Sequence, residues 1–127
     1  MSDNTKTLEG LNVLLAEDDN MNVIVLTKFL SRWGIACDVA RNGEEAVTRC
    51  RDKKYDLVLM DMYMPVMDGC QAARSIRTFD TDVKIFALTA DSSSESREAA
   101  ESSGMSDFVL KPFNPDQLYQ KLASLKS

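Results

Sequence analysis

Acidic residues follow two of the short apolar runs in this sequence: Glu17, Asp18 and Asp19 come after Val13–Ala16, and Asp61 after Leu57–Met60. Thr89 closes the run Val83–Leu88, and Lys111 follows Phe108–Leu110. Gathering carboxylates is costly, since two like charges about 4 Å apart repel by about 4 kcal/mol at an effective dielectric near 20. A divalent cation is the obvious counterweight. Oxygen donors with neither histidine nor cysteine favour a hard ion, and Mg²⁺ commonly takes a few carboxylates with waters and a phosphate oxygen. A lysine and a hydroxyl aimed at the same point suit a phosphoryl group, whose transfer depends on positioning and charge neutralisation. A carboxylate at the centre of such a set can act as the nucleophile and take up the group as an aspartyl phosphate.

Those residues converge only if the intervening chain folds in a particular way. Val13–Ala16 reads as a strand buried on both faces, Leu57–Met60, Val83–Leu88 and Phe108–Leu110 as further strands, and Ala36–Ala40 as a weaker edge strand before an Asn42-Gly43 turn. Helical spacing lies between them. Asn20 is the expected cap of a helix carrying Val23, Leu26, Phe29, Leu30 and Trp33, which Gly34 stops. Further helices are expected over 44–52, around Ala72, Ala73 and Ile76, over the serine-rich stretch 91–103, and from Asn114 and Pro115 through Leu118, Leu122 and Leu125. Ala99 and Ala100 are the clear apolar residues of the serine-rich helix. This alternation predicts an α/β fold of right-handed βαβ units, a parallel sheet with helices on both faces. In such a sheet, ligands bind beyond the carboxyl ends of the strands, where every residue singled out above falls.

Composition narrows the possibilities. The 127 residues fit one domain, 44% hydrophobic and 28% charged, and the stretch 1–10 reads as a disordered lead-in to a domain over 11–127. A net charge of −5 with no basic stripe argues against nucleic-acid binding. No apolar run approaches the roughly 18 residues of a membrane span, and no secretory signal opens the chain, so the cytoplasm is the expected compartment. Cys37, Cys50 and Cys70 suit neither a disulfide framework nor a zinc site. With no histidine anywhere, the chain is neither a histidine-based catalyst nor a phosphohistidine carrier. It ends soon after the last helix, which predicts a domain without an effector segment, free-standing or part of a larger protein.

Each residue also has a plainer role: Asp61 as a cap, Glu17 to Asp19 as a solvated turn, Thr89 as a strand residue, Lys111 as a surface charge and Phe108 as core. The shared position of Glu17, Asp18, Asp61, Thr89 and Lys111 at strand carboxyl ends outweighs those readings; Asp19 keeps the plainer one, and Phe108 suits core and switch alike. The segments Glu17-Asp18, Leu57–Asp61 with Met64-Pro65 and Asp68-Gly69, Leu88-Thr89-Ala90 and Lys111-Pro112-Phe113, in that order, resemble response-regulator receiver domains from Leu11 to Leu125. Glu17 to Asn20, with Asn22, most resembles receivers of hybrid histidine kinases.

The resemblance implies a single three-layer (βα)5 flavodoxin-like domain with strand order 2-1-3-4-5. It implies a two-component signalling protein, not an enzyme in its own right, that promotes its own phosphorylation and dephosphorylation. Asp61 would accept a phosphoryl group from a phosphohistidine of a sensor kinase or histidine phosphotransfer domain. Asp18 and Asp61 would hold Mg²⁺ directly, Glu17 through water, and the Tyr63 backbone carbonyl would add a ligand. Thr89 and Lys111 would bind phosphoryl oxygens, Thr89 and Phe108 would form the switch, and Lys111-Pro112 would be cis. Many receivers have two aspartates where this chain has Glu17-Asp18, which bears on how Glu17 meets the metal. A homodimer through the fourth helix, fifth strand and fifth helix is a further expectation. An aspartate-nucleophile hydrolase would want a second aspartate where Tyr63 stands, and a degenerate binding module would not require the full set.

Overall fold

Strand β1, Val13–Ala16, is buried along its whole length, as an apolar run without alternation requires. The computed structural model describes residues 8–125. In chain order the elements are β1, α1 (Asn20–Arg32), β2 (Cys37–Ala40), α2 (Gly43–Asp52), β3 (Leu57–Asp61), α3 (Gly69–Arg77), β4 (Lys84–Thr89), α4 (Ser94–Ser102), β5 (Asp107–Leu110) and α5 (Pro115–Ala123). All strand pairings are parallel, and the sheet order is β2-β1-β3-β4-β5. The chain therefore leaves β1 to one side for β2 and returns on the other side for β3. That reversal opens a crevice between the carboxyl ends of β1 and β3.

Side-chain alternation along the strands divides the core in two. Leu15, Leu57, Leu59 and Leu88 face α1 and α5, where they meet Leu26, Leu30, Leu118 and Leu122. Leu14, Val58, Met60 and Ile85 face the other way, onto Ala46, Val47, Ala72, Ala73 and Ile76 of α2 and α3. Each fully buried leucine is worth about 1.5–3 kcal/mol of transfer free energy, so both layers are firmly held to the sheet.

Helix boundaries follow local hydrogen bonding. Asp19, not Asn20, caps α1: its carboxylate accepts the Met21 N–H at 2.9 Å, while Asn20 is already helical and accepts from Arg41 instead. An aspartate one residue earlier reaches the same orphan amides, and spacing alone does not separate the two. Gly34 stops α1 at φ 83°, a left-handed conformation that favours glycine. Asn42 caps α2 rather than only turning the chain. Asp68 and Gln71 form a reciprocal capping box on α3, and Asn114 with Pro115 opens α5.

Three further details go beyond the sequence pattern. Residues 1–7 of the expected lead-in lie outside the described residues, but Leu8 is buried, and its N–H donates to the Trp33 carbonyl at 2.6 Å. The packing thus reaches back to Leu8 beside α1. In α4, Ala99 is exposed, and the buried positions are Ser96 and Ala100. Leu125 is only half-buried, at the edge of the α1–α5 layer.

Candidate functional site

The first acidic residue enters the sheet itself: the Glu17 N–H donates to the Ala40 carbonyl at 3.0 Å, one step beyond β1. Its side chain is consequently fully buried, whereas Asp18, the next residue, is exposed on the opposite side of the backbone trace. Asp61 closes β3 opposite Leu88 and is 4% exposed. The carboxylates of Glu17, Asp18 and Asp61 each place an oxygen within 4.8 Å of the others. Residues more than forty positions apart in sequence have thus been brought together by the β1–β3 pairing alone.

Lys111 comes from the far side of the cleft. Its N–H donates to the Thr89 carbonyl at 2.8 Å, and its Nζ lies 3.2 Å from Glu17 Oε1 and 3.5 Å from Asp61 Oδ2. The Lys111-Pro112 bond is cis. Thr89, the last residue of β4, is buried, and its hydroxyl accepts the Asp91 N–H at 2.9 Å. The Tyr63 N–H donates to Asp61 Oδ1 at 3.2 Å while its ring stands out in solvent. These residues line a cleft of about 450 Å³, to which Asp19, Asn22, Ala90 and Asp91 also contribute.

One cation does not balance this cluster. Burial first, then the neighbouring Glu17 carboxyl, holds Asp61 well above the usual carboxylate range, against the Tyr63 N–H and Lys111. Lys111 approaches Glu17 Oε1 closely, but out of line for a hydrogen bond, so this buried oxygen has no hydrogen-bond partner. A buried carboxylate oxygen with an ion pair but no hydrogen bond is incompletely satisfied, and the carboxylates that share its cluster, Asp18 and Asp61, add only oxygen donors. The donor set therefore fits a hard divalent cation such as Mg²⁺, with Glu17, Asp18 and Asp61 as the groups that would hold it.

The loop after β3 is tied down from both ends. Gly69 donates to the Met62 carbonyl, and Gly43 of α2 donates to the Met67 carbonyl, each at 3.1 Å. Within it, Val66 is held at φ 71°, where a β-branched residue stores on the order of 1–3 kcal/mol of strain. The loop thus presents the edge of the cleft in a fixed shape.

The cleft brings together Glu17, Asp18, Asp61, Tyr63, Thr89 and Lys111, and Phe108 stands apart from it. That side chain is half-buried on the α4 side of β5, with the Arg97 guanidinium over its ring. Asp91 was missed by sequence reasoning. Its carboxylate accepts from the Ser93 N–H and the Ser96 hydroxyl, and the first of these chiefly keeps its pKa low. Only the position of Asp91 just before a serine-rich helix hinted at this bonding. Asp19, expected to be part of a solvated turn, caps α1 and also lines the cleft.

The winding reversal, the acidic cluster and the lysine define a phosphoryl-handling α/β domain. The response-regulator receiver domain family matches residues 13–123, and the chain belongs to that family. It is 41% identical over 112 residues to transcription factor SKN7 of Candida albicans, covering 88% of this chain and 20% of that protein. It is 37% identical to histidine protein kinase 1 of Candida albicans, covering 91% of this chain and 5% of the kinase. The chain thus spans a fifth or less of these relatives. Among solved structures, the receiver of Ssk1 from Saccharomyces cerevisiae, crystallised with the histidine phosphotransfer protein Ypd1, superposes with a TM-score of 0.89 at 33% identity, covering 94% of this chain and 91% of that one. The receiver of a Pseudomonas aeruginosa sensor histidine kinase, described with magnesium coordinated in its active-site cleft, superposes at 0.86 with 35% identity, covering 93% and 99%. The protein is therefore a receiver domain of two-component signalling, with the flavodoxin-like order 2-1-3-4-5.

Proposed function

We propose that Asp61 is the phosphoryl acceptor, charged from a phosphohistidine on a histidine kinase or histidine phosphotransfer domain. The observation that carries this reading is the buried Asp61 carboxylate set between the Glu17–Asp18 pair and Lys111 Nζ at the open edge of the sheet. In the transfer, an Asp61 oxygen attacks phosphorus, the donor's N–P bond breaks, and the imidazole leaves. The chain's lack of histidine means that the donor must be a second protein domain. The Ssk1 receiver's crystallisation with Ypd1 supports the same class of donor.

Glu17, Asp18 and Asp61 would hold Mg²⁺, with the Tyr63 carbonyl as a further oxygen donor. The ion would supply neutralisation of the acidic cluster and of the phosphoryl charge. Lys111 is placed to pair with one phosphoryl oxygen, and the Thr89 hydroxyl, once released from Asp91, to bond another. Thr89 and Phe108 form the switch, and attack of water at the same phosphorus breaks the Asp61 O–P bond, releases inorganic phosphate and returns the carboxylate to its starting state. The outer face of α4, β5 and α5 is the proposed output surface, including a homodimer. It carries Leu110, 40% exposed on an edge strand, beside the Asp107–Lys121 ion pair. The compartment in this reading is the cytoplasm, where the three unpaired thiols would stay reduced.

Incubation with a small phosphoryl donor such as acetyl phosphate and Mg²⁺ tests the acceptor. The parent protein should gain one acid-labile phosphoryl group, and Asp61→Asn should gain none. Undiminished labelling of that variant would remove Asp61 from the role.

A further inference from the structure

Arg97 closes the first turn of α4 and makes an unusual choice of partner. Glu101 is one helical turn further on, and Asp107 borders the same hollow, yet Arg97 takes part in none of the ion pairs among the described residues. Its guanidinium carbon sits instead 4.1 Å from the centroid of the Phe108 ring. A guanidinium stacked in this way draws on both the ring's quadrupole and flat contact, which a point charge does not reproduce.

The ring it covers has somewhere to go. Phe108 pairs with Ala87 on β4, and Thr89, two residues on, points to the same face of the sheet. Ala87 and Thr89, the residues on that side of Phe108 towards the cleft, both carry short side chains. On its outer side, the ring borders an open hollow of about 190 Å³. The same turn of α4 is tied to Thr89. The Ser96 hydroxyl donates to Asp91 Oδ2 at 2.8 Å, and the Asp91 N–H donates to the Thr89 hydroxyl. Ser96 and Arg97 are adjacent, so one turn of helix is bonded through Asp91 to the cleft threonine and stacked on the aromatic ring.

We propose that Arg97 is a positioning residue that latches Phe108 in its outer place and so sets the threshold at which the receiver switches. This rests on the receiver reading above. When Thr89 turns towards a phosphoryl oxygen, it gives up the Asp91 N–H and loosens the first turn of α4. The guanidinium then shifts off the ring, and Phe108 swings in beside Ala87. Arg97 is an exposed side chain and touches none of the groups around Asp61.

The test is an NMR titration with beryllofluoride at saturating Mg²⁺, following the amides of Thr89 and Phe108. Arg97→Ala should reach half-conversion at an about two- to fivefold lower beryllofluoride concentration than the parent, the range expected from losing one exposed cation–π contact. Arg97→Lys, which keeps the charge but not the flat stack, should fall between. In a Phe108→Leu background, Arg97→Ala should have no such effect. Loss of a positive charge acting only on the anion would move the midpoint the other way, to higher concentration. An unchanged or raised midpoint for Arg97→Ala, or an equal drop in the Phe108→Leu background, would overturn the latch. A parent protein that ignored beryllofluoride altogether would overturn the receiver reading, and the latch with it.

Discussion

At Asp61, folding holds a carboxylate where its charged form is disfavoured, chiefly by burial. The folded state therefore binds the proton more tightly than the unfolded chain does. Asp61's contribution is most favourable below its ordinary carboxylate value of about 4 and is lost as pH rises from there towards neutrality. In metal-free buffer at neutral pH, Asp61→Asn should raise the melting temperature by at least about 3 °C, on the order of 1 kcal/mol. At pH 4 the gain should largely vanish. Added Mg²⁺ should stabilise the parent and not the variant, and differential scanning calorimetry reads all three. Asp18→Asn should lower Mg²⁺ affinity more than tenfold, more than about 1.4 kcal/mol, by titration calorimetry; equal affinities would remove Asp18 from the metal site. The clustered groups were legible in the sequence because each is pinned to the end of an apolar run. Asp91 was not legible: before a run of serines, an aspartate looks like any helix cap, and only the folded chain shows its N–H on the Thr89 hydroxyl.

Among the elements, the loop from β3 to α3 sets the shape of the cleft through close backbone approach. A Cβ built on Gly69 would lie 2.3 Å from the Asp61 carbonyl oxygen and 2.9 Å from the Met62 Cα, so backbone must move to admit it. Gly69→Ala should therefore cost more than about 2 kcal/mol in urea unfolding and depress labelling of Asp61, a larger effect than helix propensity would give. Little loss of either would show that the loop is not held as tightly as the structure implies. Strands and amphipathic helices were legible from periodicity, because burial on one or both faces imposes period and length. α4 was the least legible element. A serine does the work expected of alanine there, since Ser96 reaches burial by bonding Asp91, a tertiary contact that hydrophobic pattern cannot reveal. The cap of α1 slipped by one residue because Asp19 and Asn20 are both good caps.

Across the whole molecule, alternation of strands and helices was enough to predict a parallel sheet covered on both faces. The strand order came from the resemblance, and with it the winding reversal that joins β1 to β3 at the acidic cluster. The composition of the molecule fits the same division of labour. In the proposed transfer the chain provides acid, hydroxyl and lysine, and the histidine comes from a donor domain. The most direct test of that claim is phosphotransfer from a panel of ³²P-phosphorylated histidine phosphotransfer domains and histidine kinases to this chain, with and without Mg²⁺. At least one donor should pass its label on within minutes in the presence of Mg²⁺, giving an acid-labile product that chelation prevents and Asp61→Asn abolishes. Acceptance that persists in Asp61→Asn, or no acceptance from any donor by a folded protein that binds Mg²⁺, would contradict the account.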